Sequence, residues 1–196
     1  MFLQNPTFLS QGDSLLFIVD IQEKLAPAVY DQKKVIWNTI RLIHGATLFH
    51  LPVILTEQYP KGLGTTVAKI KKALPENTLF FEKKSFSAVP AENLLDAIKK
   101  LESVQKIILC GMETHVCVQQ TALDLLTAGF QIHLVIDAVS SRFETNYTTA
   151  LNRMEASGVD LTTTEAVLFE LCRTADAPQF KKISALVRET MDEGKI

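Results

Sequence analysis

Cys117 stands in the run Lys106-Ile-Ile-Leu-Cys-Gly-Met-Glu-Thr-His-Val-Cys117-Val-Gln-Gln-Thr-Ala-Leu-Asp-Leu-Leu126, where an apolar stretch of strand character gives way to an amphipathic helix. The first turn of a helix carries unpaired N–H groups and the positive end of the dipole. A thiol placed there is helped to ionise, and an anion formed beside it finds donors. Nucleophilic catalysis by a thiol also needs a group to take its proton and a charge to organise the pair. Two residues of suitable type follow other apolar runs: Asp20 ends Leu15-Leu-Phe-Ile-Val-Asp20, and Lys83 follows Thr78-Leu-Phe-Phe81. Asp20 can accept the thiol proton and later give it to a leaving group, while Lys83 can hold Asp20 ionised and favour the thiolate. Backbone N–H groups at the helix start can receive the oxyanion of a tetrahedral intermediate.

These residues meet only if the elements that carry them end on one rim. Strands are expected at 15–20, 52–56, 78–81, 106–111, 131–136 and 159–162, several of them continuously apolar, as suits strands buried on both faces of a parallel sheet. Between them lie segments of helical period: 31–51, one opening at Pro90 with proline in its first turn, the Cys117 helix to about Ala128 with Gly129 as its stop, and 145–157. Helices near 164–172 and 178–192 close the chain. The order predicts a three-layer α/β/α, doubly wound fold with a mainly parallel six-stranded sheet and right-handed crossovers. Ligands in such sheets bind outside the carboxyl ends of the strands, where Asp20, Lys83 and Cys117 would all lie. The turn-rich segment Tyr59-Pro-Lys-Gly-Leu-Gly-Thr-Thr66 is expected to loop over one end of the sheet. Its Gly62-Leu-Gly64 lacks the rest of a phosphate-binding signature.

Composition bounds the partners. The chain of 196 residues, 47% of them hydrophobic, suits one domain over 1–196. A formal net charge of −2 gives no overall basic field for nucleic acid or an anionic membrane, so neither is expected as a partner. Three cysteines without Cys-x-x-Cys spacing suggest neither a disulfide framework nor a zinc ribbon. The amino-terminal Met1-Phe-Leu-Gln-Asn-Pro6 has no signal-peptide pattern, and no run approaches a membrane span, so the cytoplasm is the expected compartment.

Each chemical residue also has a purely structural reading. Free cysteines are among the most buried residue types, and Cys110 and Cys172 are read as core. An Asp ending a strand is often a cap or turn former, and Lys83 and Lys84 could be solvated charges. His115 is adjacent to the nucleophile's turn, but neighbouring helix positions do not face each other, so it is read as lining a pocket or the surface. His44, His50 and His133 form no metal set. On pattern alone, a catalytic trio and a set of structural residues both stand.

The motifs taken together resemble the isochorismatase-like cysteine hydrolase superfamily, which includes nicotinamidases and N-carbamoylsarcosine amidohydrolases. The resemblance spans Leu15 to about Leu171. It rests on Asp20-Ile-Gln22 after the first strand and on Lys83-Lys-Ser-Phe-Ser87. It also rests on Gly111-Met-Glu-Thr-His-Val-Cys117-Val118 ahead of Thr121-Ala-Leu-Asp124. It implies that Asp20, Lys83 and Cys117 form a catalytic triad, that the Met112–Glu113 peptide is cis, and that the N–H groups of Glu113 and Cys117 form the oxyanion hole. It also implies a homo-oligomer.

Departures narrow the subfamily. Nicotinamidases carry an Asp and two His near the second strand as metal ligands, whereas this chain reads Thr56-Glu-Gln-Tyr-Pro-Lys61, with Glu57 the only plausible ligand. No metal and no cofactor are expected. The run Thr56 to Gly64 most resembles the isochorismatase-domain-containing group. The expected activity is cleavage of a C–N bond in a small amide-like substrate through a thioester, with Gln22, Tyr59, Phe86, Thr114 and His115 as candidate pocket residues. The alternatives are a vinyl ether hydrolase acting through Asp20 and a noncatalytic binding protein that keeps the fold; a thiol unreactive near neutral pH would favour the last.

Overall fold

The computed structural model describes residue 5 and residues 7–191; the rest of the amino-terminal hexapeptide and the chain from residue 192 lie outside the described residues. Six strands, β1 (Ser14–Val19), β2 (Val53–Gln58), β3 (Leu79–Lys83), β4 (Lys106–Met112), β5 (Gln131–Ser140) and β6 (Asp160–Thr162), form one sheet. Their order is β3-β2-β1-β4-β5-β6 and every neighbouring pair is parallel. Central β1 and β4 are buried along their whole length, which is why they read as unbroken apolar runs. Edge strand β3 instead alternates, with Phe80 facing out.

Among the described residues, eight α-helices accompany the strands: α1 (Gln32–Leu48), α2 (Pro60–Leu63), α3 (Ala68–Ala73), α4 (Leu94–Lys99), α5 (Gln119–Thr127), α6 (Glu144–Ala156), α7 (Thr164–Cys172) and α8 (Phe180–Val187). Helix α1 packs on β1, β4 and β5 and touches α3, α7 and α8, while α5 packs on β5 and α6. Right-handed crossovers running outward in both directions from the middle of the sheet put these groups on opposite faces. The winding reverses between β1 and β4, and the carboxyl ends of those two strands open the crevice where such folds bind ligands. Gly111 permits the close approach there: its φ is 131°, and a Cβ would lie 2.0 Å from the Val19 carbonyl oxygen.

The strand expectations hold in number and order, with shifted ends. β5 runs four residues beyond the expected 136, because a register shift between Leu109 and Gly111 lets Val139 and Ser140 pair with Gly111 and Met112. The helix expected at Pro90 begins only at Leu94. Asn93 has φ 61°, a left-handed residue that cannot continue a helix from Pro90. The 59–66 loop contains α2, α3 follows it, and the last helix ends at Val187. The chain enters the Cys117 helix through a π-helical turn, Thr114–Val118, before α5 begins.

Candidate active site

Asp20 is the first residue after β1, with φ 53° and a fully buried side chain. Its Oδ1 accepts a hydrogen bond from Thr56 Oγ1 at 2.8 Å, and its Oδ2 lies 2.6 Å from Lys83 Nζ. The thiol of Cys117 is close enough to the same carboxylate for each group to shift the other's proton affinity. The structure thus brings together the three residues singled out in the sequence, from the ends of β1 and β3 and the turn after β4. Both charged side chains are 0% exposed and Cys117 is 5% exposed, so the attraction acts in a water-poor setting.

Burial raises the proton affinity of Asp20; the Lys83 charge and the hydrogen bonds from Lys83, Thr56 and Cys117 oppose it. Burial and then the Asp20 charge push the Cys117 thiol up to about 12, with only Lys83 pulling down. The help expected from Lys83 is present, and burial with the Asp20 charge outweighs it. Burial and the negative charge of Asp20 both favour the protonated thiol.

Lys83 is the last residue of β3. Its ammonium also donates to Gln58 Oε1 at 3.2 Å, to the Ser85 carbonyl at 3.2 Å and to the Phe86 carbonyl at 3.0 Å. Phe86 therefore supplies a carbonyl to the centre, while its ring is exposed. Gln22 is fully buried and grips the main chain of Gln58 at both ends: Oε1 accepts from Gln58 N at 2.7 Å and Nε2 donates to Gln58 O at 3.0 Å. Nε2 also donates to Gly64 O at 2.7 Å, so Gln22 ties the 59–64 segment to β2.

On the other bank, the Met112–Glu113 peptide is cis. The Glu113 carbonyl accepts from Val116 N and Val118 N, which pins the turn that carries Cys117. The Glu113 carboxylate accepts from Arg142 N at 3.0 Å and Nε at 3.1 Å. Both ring nitrogens of His115 are engaged, Nδ1 with Ser141 Oγ at 2.9 Å and Nε2 with Asn146 Nδ2 at 3.4 Å, which leaves the imidazole no part as the thiol's base. Thr114 is fully buried, and its hydroxyl has no hydrogen-bond partner among the described residues. Tyr59 is half exposed and, with Pro60, Lys61, Glu82, Lys83 and Lys84, lines a cavity of ≈ 460 Å³ on the β3 side.

Sequence reasoning passed over Thr56, Gln58, Ser141 and Arg142. Glu57, weighed as a metal ligand, instead accepts from Thr66 N at 2.5 Å and Thr66 Oγ1 at 2.7 Å and anchors the loop. Cys110 and Cys172 are buried, as read from the sequence. Among the described residues no helix is long and apolar enough to cross a membrane.

Relatives share this frame. Isochorismatase domain-containing protein 2 of Danio rerio is 42% identical over 180 residues, covering 91% of this chain and 89% of its own. The structure of the MAR1 ribonuclease of Caenorhabditis elegans superposes with a TM-score of 0.89 at 42% identity, covering 96% of this chain and 97% of that one. Two YcaC structures, each 27% identical with a TM-score of 0.85 over 94% of this chain, cover 92% of the Escherichia coli protein and 93% of the Pseudomonas aeruginosa protein. The first is described as an octameric hydrolase of unknown specificity, the second as carrying hexane-2,5-diol and covalent acrylamide. A Phytophthora sojae relative, 39% identical over 178 residues, is named a secreted isochorismatase effector, so kinship alone does not carry the cytoplasmic expectation. With the isochorismatase domain model matching residues 14–166, the chain belongs to the isochorismatase family.

Proposed function

We propose that this protein is a cysteine hydrolase that cleaves a C–N bond of a small amide-like substrate through a thioester on Cys117. The observation that carries the reading is the fully buried Asp20–Lys83 ion pair, 2.6 Å apart, at the strand ends beside the turn that carries Cys117. Asp20 takes the thiol proton as sulfur attacks the carbonyl carbon. A base whose proton affinity has been raised by burial is better matched to a thiol than an ordinary carboxylate. The oxyanion is received by the N–H groups of Glu113 and Cys117, and Asp20 passes the proton to the departing amine. Asp20 then takes a proton from water, whose oxygen attacks the thioester; as the C–S bond breaks and the acid leaves, Asp20 returns that proton to sulfur and the thiol is restored. Lys83 keeps the carboxylate in place and balances its charge through both halves.

The covalent acrylamide in the P. aeruginosa relative supports a nucleophilic group in this fold, since acrylamide is an electrophile to which thiolates readily add. Vinyl ether cleavage by Asp20 alone and a noncatalytic role are the weaker readings: both leave the thiol beside that carboxylate no task, and a protonated thiol still attacks when a base takes its proton as the bond forms. The ribonuclease name of the nematode relative makes RNA a substrate to include in tests. A formal net charge of −2 and an ammonium already committed to Asp20, Gln58 and two carbonyls favour a small neutral substrate over a polyanion. The octameric relative supports a homo-oligomer; the reaction as proposed calls for no metal or cofactor, and the chain is read as one cytoplasmic domain.

The test is incubation with a panel of small amides and ureides, with RNA as a further arm, while intact mass is followed for an adduct on Cys117. An acyl adduct in the wild type, absent in Cys117→Ala, is expected. Normal turnover by Cys117→Ala would overturn the reading.

A further inference from the structure

The ion pair joins strands that are not neighbours. With β2 between them, β1 and β3 stand about 10 Å apart, so the Lys83 side chain must cross β2 to reach Asp20. Along β2 the side chains alternate faces, which puts Thr56 and Gln58 on one face and Glu57 on the other. The two residues on the shared face each hold one member of the pair. Thr56 donates to the carboxylate at 2.8 Å, and Gln58 Oε1 accepts from the ammonium at 3.2 Å.

Gln58 is itself unusually constrained. In register it lies beside Lys83 on β3, its Nε2 donates to Lys84 O at 3.0 Å, and both its main-chain polar groups are held by Gln22. The Gln22 amide stands in for a neighbouring strand at the point where β1 has ended. An ammonium has three N–H groups, and here they face Asp20, Gln58 and the Ser85 and Phe86 carbonyls. Of these acceptors outside Asp20, only Gln58 is a side chain; its amide is held by the Lys84 carbonyl and its main chain by Gln22.

We propose that Gln58, braced by Gln22, is a positioning residue that sets where the Lys83 ammonium stands relative to Asp20 and Cys117, and through it the reactivity of the thiol. This rests on the reading of Cys117 as a nucleophile but does not require a known substrate. The charged groups acting on that thiol are Asp20 and Lys83. An ammonium released from Gln58 lies less favourably for the thiolate.

The experiment measures the rate of Cys117 alkylation by iodoacetamide against pH, by intact mass, in wild type, Gln58→Met, Lys83→Met and the double variant. Gln58→Met is expected to slow alkylation about tenfold at each pH from 7 to 9.5, where the rate follows the small thiolate fraction. In the Lys83→Met background the same change is expected to do nothing further, since its effect passes through the ammonium. If Lys83→Met fails to fold, Gln58→Glu replaces that arm: a carboxylate beside the ammonium competes with the thiolate for it and slows alkylation over the same range. Gln58→Met rates equal to wild type overturn the proposal, as do additive effects in the double variant or Gln58→Glu rates at the wild-type value. Normal hydrolysis by Cys117→Ala would instead remove the proposed reaction and leave this result standing.

Discussion

The Asp20 carboxylate and the Lys83 ammonium lie 2.6 Å apart, fully buried, although the strands that carry them are separated by a third. A pair in that position is costly to break, because removing one partner leaves the other charge uncompensated in the interior. The same pair controls the thiol from both sides: Asp20 raises its pKa and Lys83 lowers it. This opposition makes the variants below informative.

Asp20→Asn is expected to abolish hydrolysis while making Cys117 easier to alkylate at pH 8. Removing the negative charge leaves Lys83 to favour the thiolate, so the thiol titrates lower than in the wild type. Loss of turnover together with a faster alkylation rate checks the assignment of Asp20 as base; a slower rate would contradict the electrostatic account.

Lys83→Met leaves Asp20 buried without its counter-charge, and a loss of about 3–5 kcal/mol at neutral pH is expected by urea unfolding. The Asp20 pKa is already raised by burial, and losing Lys83 removes the largest opposing influence, so it rises further. A raised carboxyl pKa means that the folded state holds the proton more tightly than the unfolded one. The defect is therefore expected to shrink as pH falls towards 4 and to be full only above the raised pKa. Unfolding free energies at several pH values, compared with wild type, check the direction.

Gly111→Ala is expected to cost at least about 2 kcal/mol, since the new methyl would meet the Val19 carbonyl at a residue whose φ is 131°. The strand ends that would have to part are those that carry Asp20 and lead to Cys117, so turnover should fall with stability. Thermal unfolding and a substrate assay on the same preparation measure both.

His133 is buried near the amino end of β5, and burial holds its pKa below the ordinary 6.5; Lys106 adds to this, while Asp160, Glu170 and Asp13 oppose it. As pH falls through 6.5 the unfolded chain takes up the proton before the folded one. Stability is therefore expected to decline from about pH 6.5 downward, until the folded pKa is passed. His133→Gln should flatten that part of a melting-temperature profile recorded from pH 5 to 7.5.

Much of the frame was legible in the residues. Unbroken apolar runs such as Leu15–Val19 and Ile107–Leu109 fit only strands covered on both faces, and their alternation with helical periods implied a doubly wound sheet. Asp20 and Cys117 were legible because each follows such a run. Element ends were less so: the late start of α4 follows from the left-handed conformation of Asn93, which a sequence reading that begins at Pro90 does not contain. Residue type tells that Lys83 favours the thiolate, but the burial and the Asp20 charge that outweigh it are set by packing.

The sequence by itself determined the order of strands and helices, the polar residues at strand ends, and the family those motifs denote, since these depend on local pattern and residue type. Only the tertiary structure decided that β2 lies between β1 and β3, that Thr56 and Gln58 share the face crossed by Lys83, and that Glu57 turns away to hold Thr66. The physical reason is that strand neighbours and side-chain faces are set by packing of the whole sheet. Alternation along β2 says which residues share a face, but only the assembled sheet says which face holds the buried ion pair.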